Sequence, residues 1–189
     1  MDPAILPPDL QEAVPFHSHL CPGLLIGYRA AKAAVQALSL TRSQDKELVV
    51  VENDFCRVDD FQALLGTTFS KGNLKWLDYD GKQVFTLSDR WQNRTVRVAF
   101  TGDVRLLQRA DGSVDREAFN HLFLEALDQD ILKIEEVESA PPDPVRIEPS
   151  QTCARCPSRN YARCGEVVQE SKAVRVEEQK LCRPCALKA

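Results

Sequence analysis

Four prolines fall within the eleven residues APPDPVRIEPS, 140–150. Proline lacks the backbone N–H that a helix interior or a central strand needs, so neither element can run through this stretch. The sequence therefore predicts a domain boundary here, with a core domain over 1–145 and a small C-terminal domain over 146–189. The first is long enough to bury a core of its own. The second, of about 40 residues, has too little apolar mass to fold unaided.

The tail carries a substitute for that missing core. Five of the seven cysteines lie in the last 37 residues. CARC (153–156) and CRPC (182–185) are two C-x-x-C pairs with 25 residues between them. Each pair can aim two sulfurs at one tetrahedral ion, so the spacing predicts a four-cysteine zinc finger on Cys153, Cys156, Cys182 and Cys185. The metal would supply much of the tail's folding free energy. Cys164 is an alternative ligand: it is followed by Gly165, which suits a turn of positive φ, whereas Cys156 is followed by a proline. Seven cysteines cannot all pair within one chain, and such clustering reads as metal ligation in a reducing compartment.

Elements in the core follow from local signals. PGLLIGYRAAKAAVQALSL after Cys21 reads as an apolar helix with Pro22 at its first position. KELVVVEN is a buried strand, and DDFQALLG a short helix ended by Gly66. Asp80-Gly81, between two alternating runs, predicts a hairpin with Trp76 packed in it. TVRVAF is a further strand, Trp91 before it a packing residue, and DREAFNHLFLEALDQD a helix capped by Asp115. His121 within it reads as structural, and ILKIEEVES fits strand or helix. Helices and strands mix without regular alternation, so the fold class is α+β, a mixed helix and antiparallel-sheet core with a small zinc-finger domain.

Charge limits the partners. Residues 150–189 hold 8 Lys+Arg against 4 Asp+Glu, leaving 16 against 24 for residues 1–149. The acidic core argues against nucleic-acid binding, and the modest basic surplus of the tail argues only weakly for it. No apolar run is long enough to span a bilayer, and the N-terminus MDPAILPPDLQEAV has no secretory pattern, which points to the cytoplasm.

The chemistry concentrates in FHSHLCPG, residues 16–23. His17, His19 and Cys21 alternate, so in an extended segment all three would share one side. Imidazole and thiolate together suit zinc and similar transition metals. Cys21 precedes the expected helix start, where a thiol is drawn toward thiolate. Cys56 also precedes a short helix and sits in a loop after a strand. Glu52, Asp54, Asp59 and Asp60 could orient an imidazole or act as a base. Lys71, Gly72 and Asn73 read either as an anion-gripping turn or as a plain one.

FHSHLCPGLLIGYRAA followed by VENDFCRVDDFQALLGTTFSKGNL resembles the family named for the E subunit of formylmethanofuran dehydrogenase (FmdE). That family opens on H-G-H-x-C-P-G, continues with D-x-C-x-x-D-x-x-Q and ends near T-x-G-K-G-N-L. The finger resembles the DksA/TraR type. Ser18 and Ser70 stand where the family has glycine, and Cys164 is extra. The resemblance implies an intertwined α+β core and a cleft in which His17, His19, Cys21 and Cys56 hold zinc or another transition metal. It also implies a homodimer, with the long apolar helix after Cys21 left partly uncovered by so small a core. Two functions compete. One is a metal-dependent enzyme or accessory subunit, partnered with a molybdenum or tungsten oxidoreductase complex, with Cys21, Cys56 and Asp54 as candidate catalytic residues. The other is a metal or small-ligand binding and regulatory protein whose finger docks a protein or nucleic acid.

Overall fold

The structure, a computed structural model, describes residues 6–40, 47–77, 82–102, 109, 111, 113 and 115–141, and in the tail 158–160, 167–169, 174–176, 179–181 and 186. The chain forms two compact units, Met1–Pro142 and Asp143–Ala189.

The first unit opens on helix α1 (Pro8–His17), which buries Leu10 and Ala13 and stops where Ser18 turns left-handed at φ 78. Cys21, in extended conformation, caps helix α2 (Pro22–Ala37), and its sulfur accepts a hydrogen bond from the Leu24 N–H. Pro22 takes the first helical position, where its missing N–H costs nothing. Nearly the whole circumference of α2 is buried, from Leu24 to Ala34. A helix apolar all round needs cover on every side. Here α1 and the later helices α3 (Val58–Leu65) and α4 (Arg116–Glu125) provide it with the sheet. The chain itself therefore encloses this helix, and the expectation that it leaves an open face for a second copy does not hold.

The sheet has five strands in the order β2-β1-β3-β4-β5. They are β1 (Glu47–Val51), β2 (Leu74–Trp76), β3 (Val84–Asp89), β4 (Arg94–Phe100) and β5 (Leu132–Val137). Strand β1 runs parallel to β2, and the remaining pairs are antiparallel. Parallel neighbours need a crossover, and α3 is that crossover, closed by Gly66 at φ 62. This overturns the expected hairpin at Asp80-Gly81. Strand β1 takes the edge of β3 that β2 would have needed, and the turn itself lies outside the described residues. The tight hairpin is β3–β4, where Asp89 faces Arg94. Asp89 Oδ1 accepts from the Trp91 and Gln92 N–H groups, and Asn93 takes φ 51, the side-chain-to-backbone bonding that makes Asp and Asn turn residues.

Phe61 of α3 stacks on Phe85 of β3 at 4.9 Å, which ties the crossover helix to the sheet centre. Phe119 and Phe123 of α4 stack at 3.9 Å over the other end. Asp115 caps α4 as expected, accepting from the Ala118 N–H at 3.1 Å. A four-residue helix, α5 (Asp128–Ile131), precedes β5, which settles ILKIEEVES mainly as strand. Trp76 and Trp91, expected as packing residues, are 46% and 71% exposed.

In the second unit, β6 (Ser158–Asn160) pairs antiparallel with β7 (Val167–Gln169), and β8 (Val174–Val176) with β9 (Gln179–Leu181). Cys153, Cys156, Cys164, Cys182 and Cys185 lie outside the described residues.

A buried acid in the crossover helix sets a first test. Asp60 is fully buried, and neither of its carboxyl oxygens has a partner among the described residues. Burial, then the neighbouring Asp59, push it up to about 9. The folded chain thus holds a proton that the unfolded chain releases near pH 4. Folded stability should fall as pH rises between those values, by at most about 1.4 kcal/mol per pH unit from this group. In urea titrations at pH 5, 7 and 8.5, Asp60→Asn should flatten that decline. Equal slopes for variant and wild type would refute the neutral acid.

Candidate metal centre

Three donors meet where the N-terminus of α2 faces the loop between β1 and α3. The ligand atoms of His17, Cys21 and Cys56 all lie within 4.8 Å of one another. His17 ends α1, Cys21 caps α2, and Cys56 lies two residues ahead of α3, so three separate helix termini supply one cluster.

The imidazole is held from behind. His17 Nδ1 donates to Asp59 Oδ2 at 2.7 Å, from the first turn of α3. That bond assigns the proton to Nδ1 and leaves the lone pair on Nε2, which lies 3.6 Å from Cys21 Sγ. Tetrahedral zinc, with Zn–N of about 2.05 Å and Zn–S of about 2.3 Å, separates a nitrogen and a sulfur ligand by about 3.6 Å. The donor set and the carboxylate behind the histidine thus suit a zinc-like ion.

Backbone packing brings the second thiol in. A Cβ on Gly23 would come within 3.0 Å of Cys56 Cβ and 3.7 Å of both sulfurs. The bare α-carbon lets the Cys56 loop descend onto the start of α2. One turn on, Gly27 admits the backbone of Arg57. Cys56 as a residue is exposed, yet partial burial of its thiol and then the neighbouring Cys21 push that thiol up from its ordinary value. This runs against the expectation that a helix end would favour its thiolate. Arg57, not Cys56, is the capping residue of α3, and the close Cys21 sulfur outweighs a helix end one residue further away. Two adjacent thiols resist joint ionisation, and a bound cation removes that resistance.

His19 does not join the cluster. The segment is not extended throughout: α1 runs through His17 and Ser18 turns the chain, so the alternation argument fails. His19 is exposed, its ring tilted against His17 at 4.8 Å between centroids and its Nδ1 3.4 Å from Ser18 Oγ. Asp54 is exposed and lines a cleft of about 300 Å³ beside the cluster. Of the four acids weighed from the sequence, Asp59 is the one that meets the imidazole. Glu52 and Asp60 are buried. The Lys71–Asn73 turn closes on itself: Lys71 Nζ donates to the Gly66 carbonyl, and Asn73 Oδ1 accepts from the Thr68 N–H. His121 faces solvent beside Glu125. The cleft's aromatic side chains went unread in the sequence; exposed rings flanking a strand end carry no pattern that separates them from core.

Comparison with known proteins follows the same lines. The family model described as FmdE, molybdenum formylmethanofuran dehydrogenase operon, matches residues 16–140. A curated relative from Archaeoglobus fulgidus, described as a probable S-adenosyl-L-methionine-binding protein, is 26% identical over 196 aligned residues. The alignment covers 94% of this chain and 52% of that protein, so the chain spans about half the length of the curated relative it matches. A crystal structure of an FmdE-like protein of tungsten formylmethanofuran dehydrogenase, from Syntrophus aciditrophicus, superposes with a TM-score of 0.57 at 22% identity. That superposition covers 95% of this chain and 91% of the other, and at this identity it speaks to the fold.

Proposed function

The chain belongs to the FmdE family, and on that premise we propose that it is a metal-binding protein whose core centre holds one transition-metal ion, zinc foremost, on His17, Cys21 and Cys56. The observation that carries the reading is the approach of the three donors to within 4.8 Å, with the His17 ring fixed by Asp59. Three protein ligands leave a fourth position open, as a reactive site requires and a purely structural one does not. A metal there would supply Lewis acidity or an activated water. Asp59 keeps Nε2 of His17 free to coordinate, and the Leu24 N–H stabilises charge on the Cys21 sulfur. The family description and the name of the structural neighbour support a role as an enzyme or accessory subunit beside a molybdenum or tungsten formylmethanofuran dehydrogenase. In the tail, spacing supports a zinc site on Cys153, Cys156, Cys182 and Cys185, with Cys164 as the alternative ligand.

Elemental analysis of the purified chain tests both sites together. About two metal ions per chain are expected. Cys182→Ser or Cys185→Ser should release one ion and unfold the tail while the core keeps its circular dichroism and the second ion. If the finger variants release all the metal, the core centre is wrong; if they release none, the finger is.

A further inference from the structure

The cleft beside the metal cluster has a chemistry of its own. Phe55, Phe69 and Trp76 line it and are 46%, 61% and 46% exposed. A protein in water ordinarily buries such rings, and exposed apolar groups gathered in a concavity mark a binding surface. Polar groups share the lining: Asp54, Asp59 and Gln62. No lysine, arginine or histidine is among the described residues that line it.

The position in the fold is equally specific. Val51 pairs with Trp76 at the carboxyl ends of the parallel strands β1 and β2. In sheets with parallel strands, ligands bind beyond the carboxyl ends, where the crossover loops diverge. The loop that leaves β1 there carries Asp54 and Phe55 and leads directly to Cys56.

We propose that this cleft binds a small planar cation, a nitrogen heterocycle of one or two rings that carries a positive charge. The rings offer flat faces whose quadrupole attracts a cation, and the two carboxylates exclude an anion. Arg57 already shows the attraction, with its guanidinium carbon 5.5 Å from the centroid of Phe55. A volume of about 300 Å³ limits the occupant to a small molecule. Asp59 belongs to both places: it lines the cleft and holds His17 by Oδ2. A cation seated there lies next to the metal centre's support, yet its binding does not require the metal.

The full-length protein, as purified, is titrated with 1-methylquinolinium, with neutral indole and with 1-naphthoate. The readout is the indole N–H resonances of Trp76 and Trp91, assigned with Trp76→Phe. The cation should shift the Trp76 signal and leave Trp91 in place. It should bind at least about tenfold more tightly than indole, and 1-naphthoate should not bind at comparable concentration. Asp54→Asn should weaken the cation about fivefold and leave indole unchanged, and Phe69→Ala should weaken both. Equal affinity for all three probes, tighter binding of 1-naphthoate, or an unshifted Trp76 overturns the proposal. Metal content measured on the same samples reports separately on the metal centre, so either reading can fail without the other.

Discussion

Replacing Cys21 and Cys56 together with serine is expected to remove the core metal ion while the tail keeps its own. The two sulfurs are the anionic part of a three-donor set within 4.8 Å. A serine hydroxyl is a poor ligand for a zinc-like ion at neutral pH, so the site would be left with one imidazole. Loss of a group that merely orients a ligand costs about 10–100-fold in metal affinity. That range is the expectation for Asp59→Asn, which weakens the hold on His17 Nδ1 without deleting a donor. Each single cysteine variant should cost at least about 100-fold, and the double variant more. His19→Ala should change affinity little, because His19 stands outside the cluster. Competition with a chromophoric chelator gives all of these constants. A cost from His19→Ala as large as from Cys21→Ser would show that the ligand set is wrong.

Gly27→Ala is expected to destabilise the core by about 3 kcal/mol or more, although the same change in an ordinary helix is favourable. Alanine in place of glycine gains about 0.8–1 kcal/mol of helix propensity. At this position the added carbon would fall 2.7 Å from Arg57 Cα and closer still to the Arg57 carbonyl oxygen and Asp60 Oδ2. Backbone atoms cannot move aside as a flexible side chain can, and overpacking costs about 1–3 kcal/mol or more. The clash therefore wins. Because Arg57 is next to Cys56, the displacement should also loosen the thiol pair and lower metal affinity, which a remote core defect would not do. Urea denaturation of Gly27→Ala, beside metal titration of the same variant, tests both parts. A stability equal to wild type would show that α2 and α3 do not approach as closely as described.

Local signals made the helices legible. Pro22 at a helix start, Gly66 at a helix end and Asp115 as a cap each act within a few residues of themselves, and all three stand where the sequence puts them. The β-branched run of β1 was legible for the same reason. Helix α1 was not: it is short, begins among prolines and contains Pro15, signals that argue against a helix until Leu10 and Ala13 have a core to enter. Strand β2 has three residues, and its parallel partner is reached only through α3. No local pattern separates such pairing from the Asp80-Gly81 hairpin. At the centre, residue types and spacing made Cys21, Cys56 and a nearby histidine candidates. Which histidine turns inward depends on the left-handed turn at Ser18, where the resembled family carries glycine. Asp59 was one of four acids, and only the packing of α3 on α1 singles it out.

The most direct measurement is X-ray diffraction at the zinc absorption edge from crystals grown with zinc. The account predicts an anomalous peak about 2.0–2.1 Å from His17 Nε2 and about 2.3 Å from the sulfurs of Cys21 and Cys56, with Asp59 still bonded to Nδ1. Crystals that show zinc in the tail but none among these three residues, or a disulfide joining Cys21 to Cys56 in its place, would contradict it.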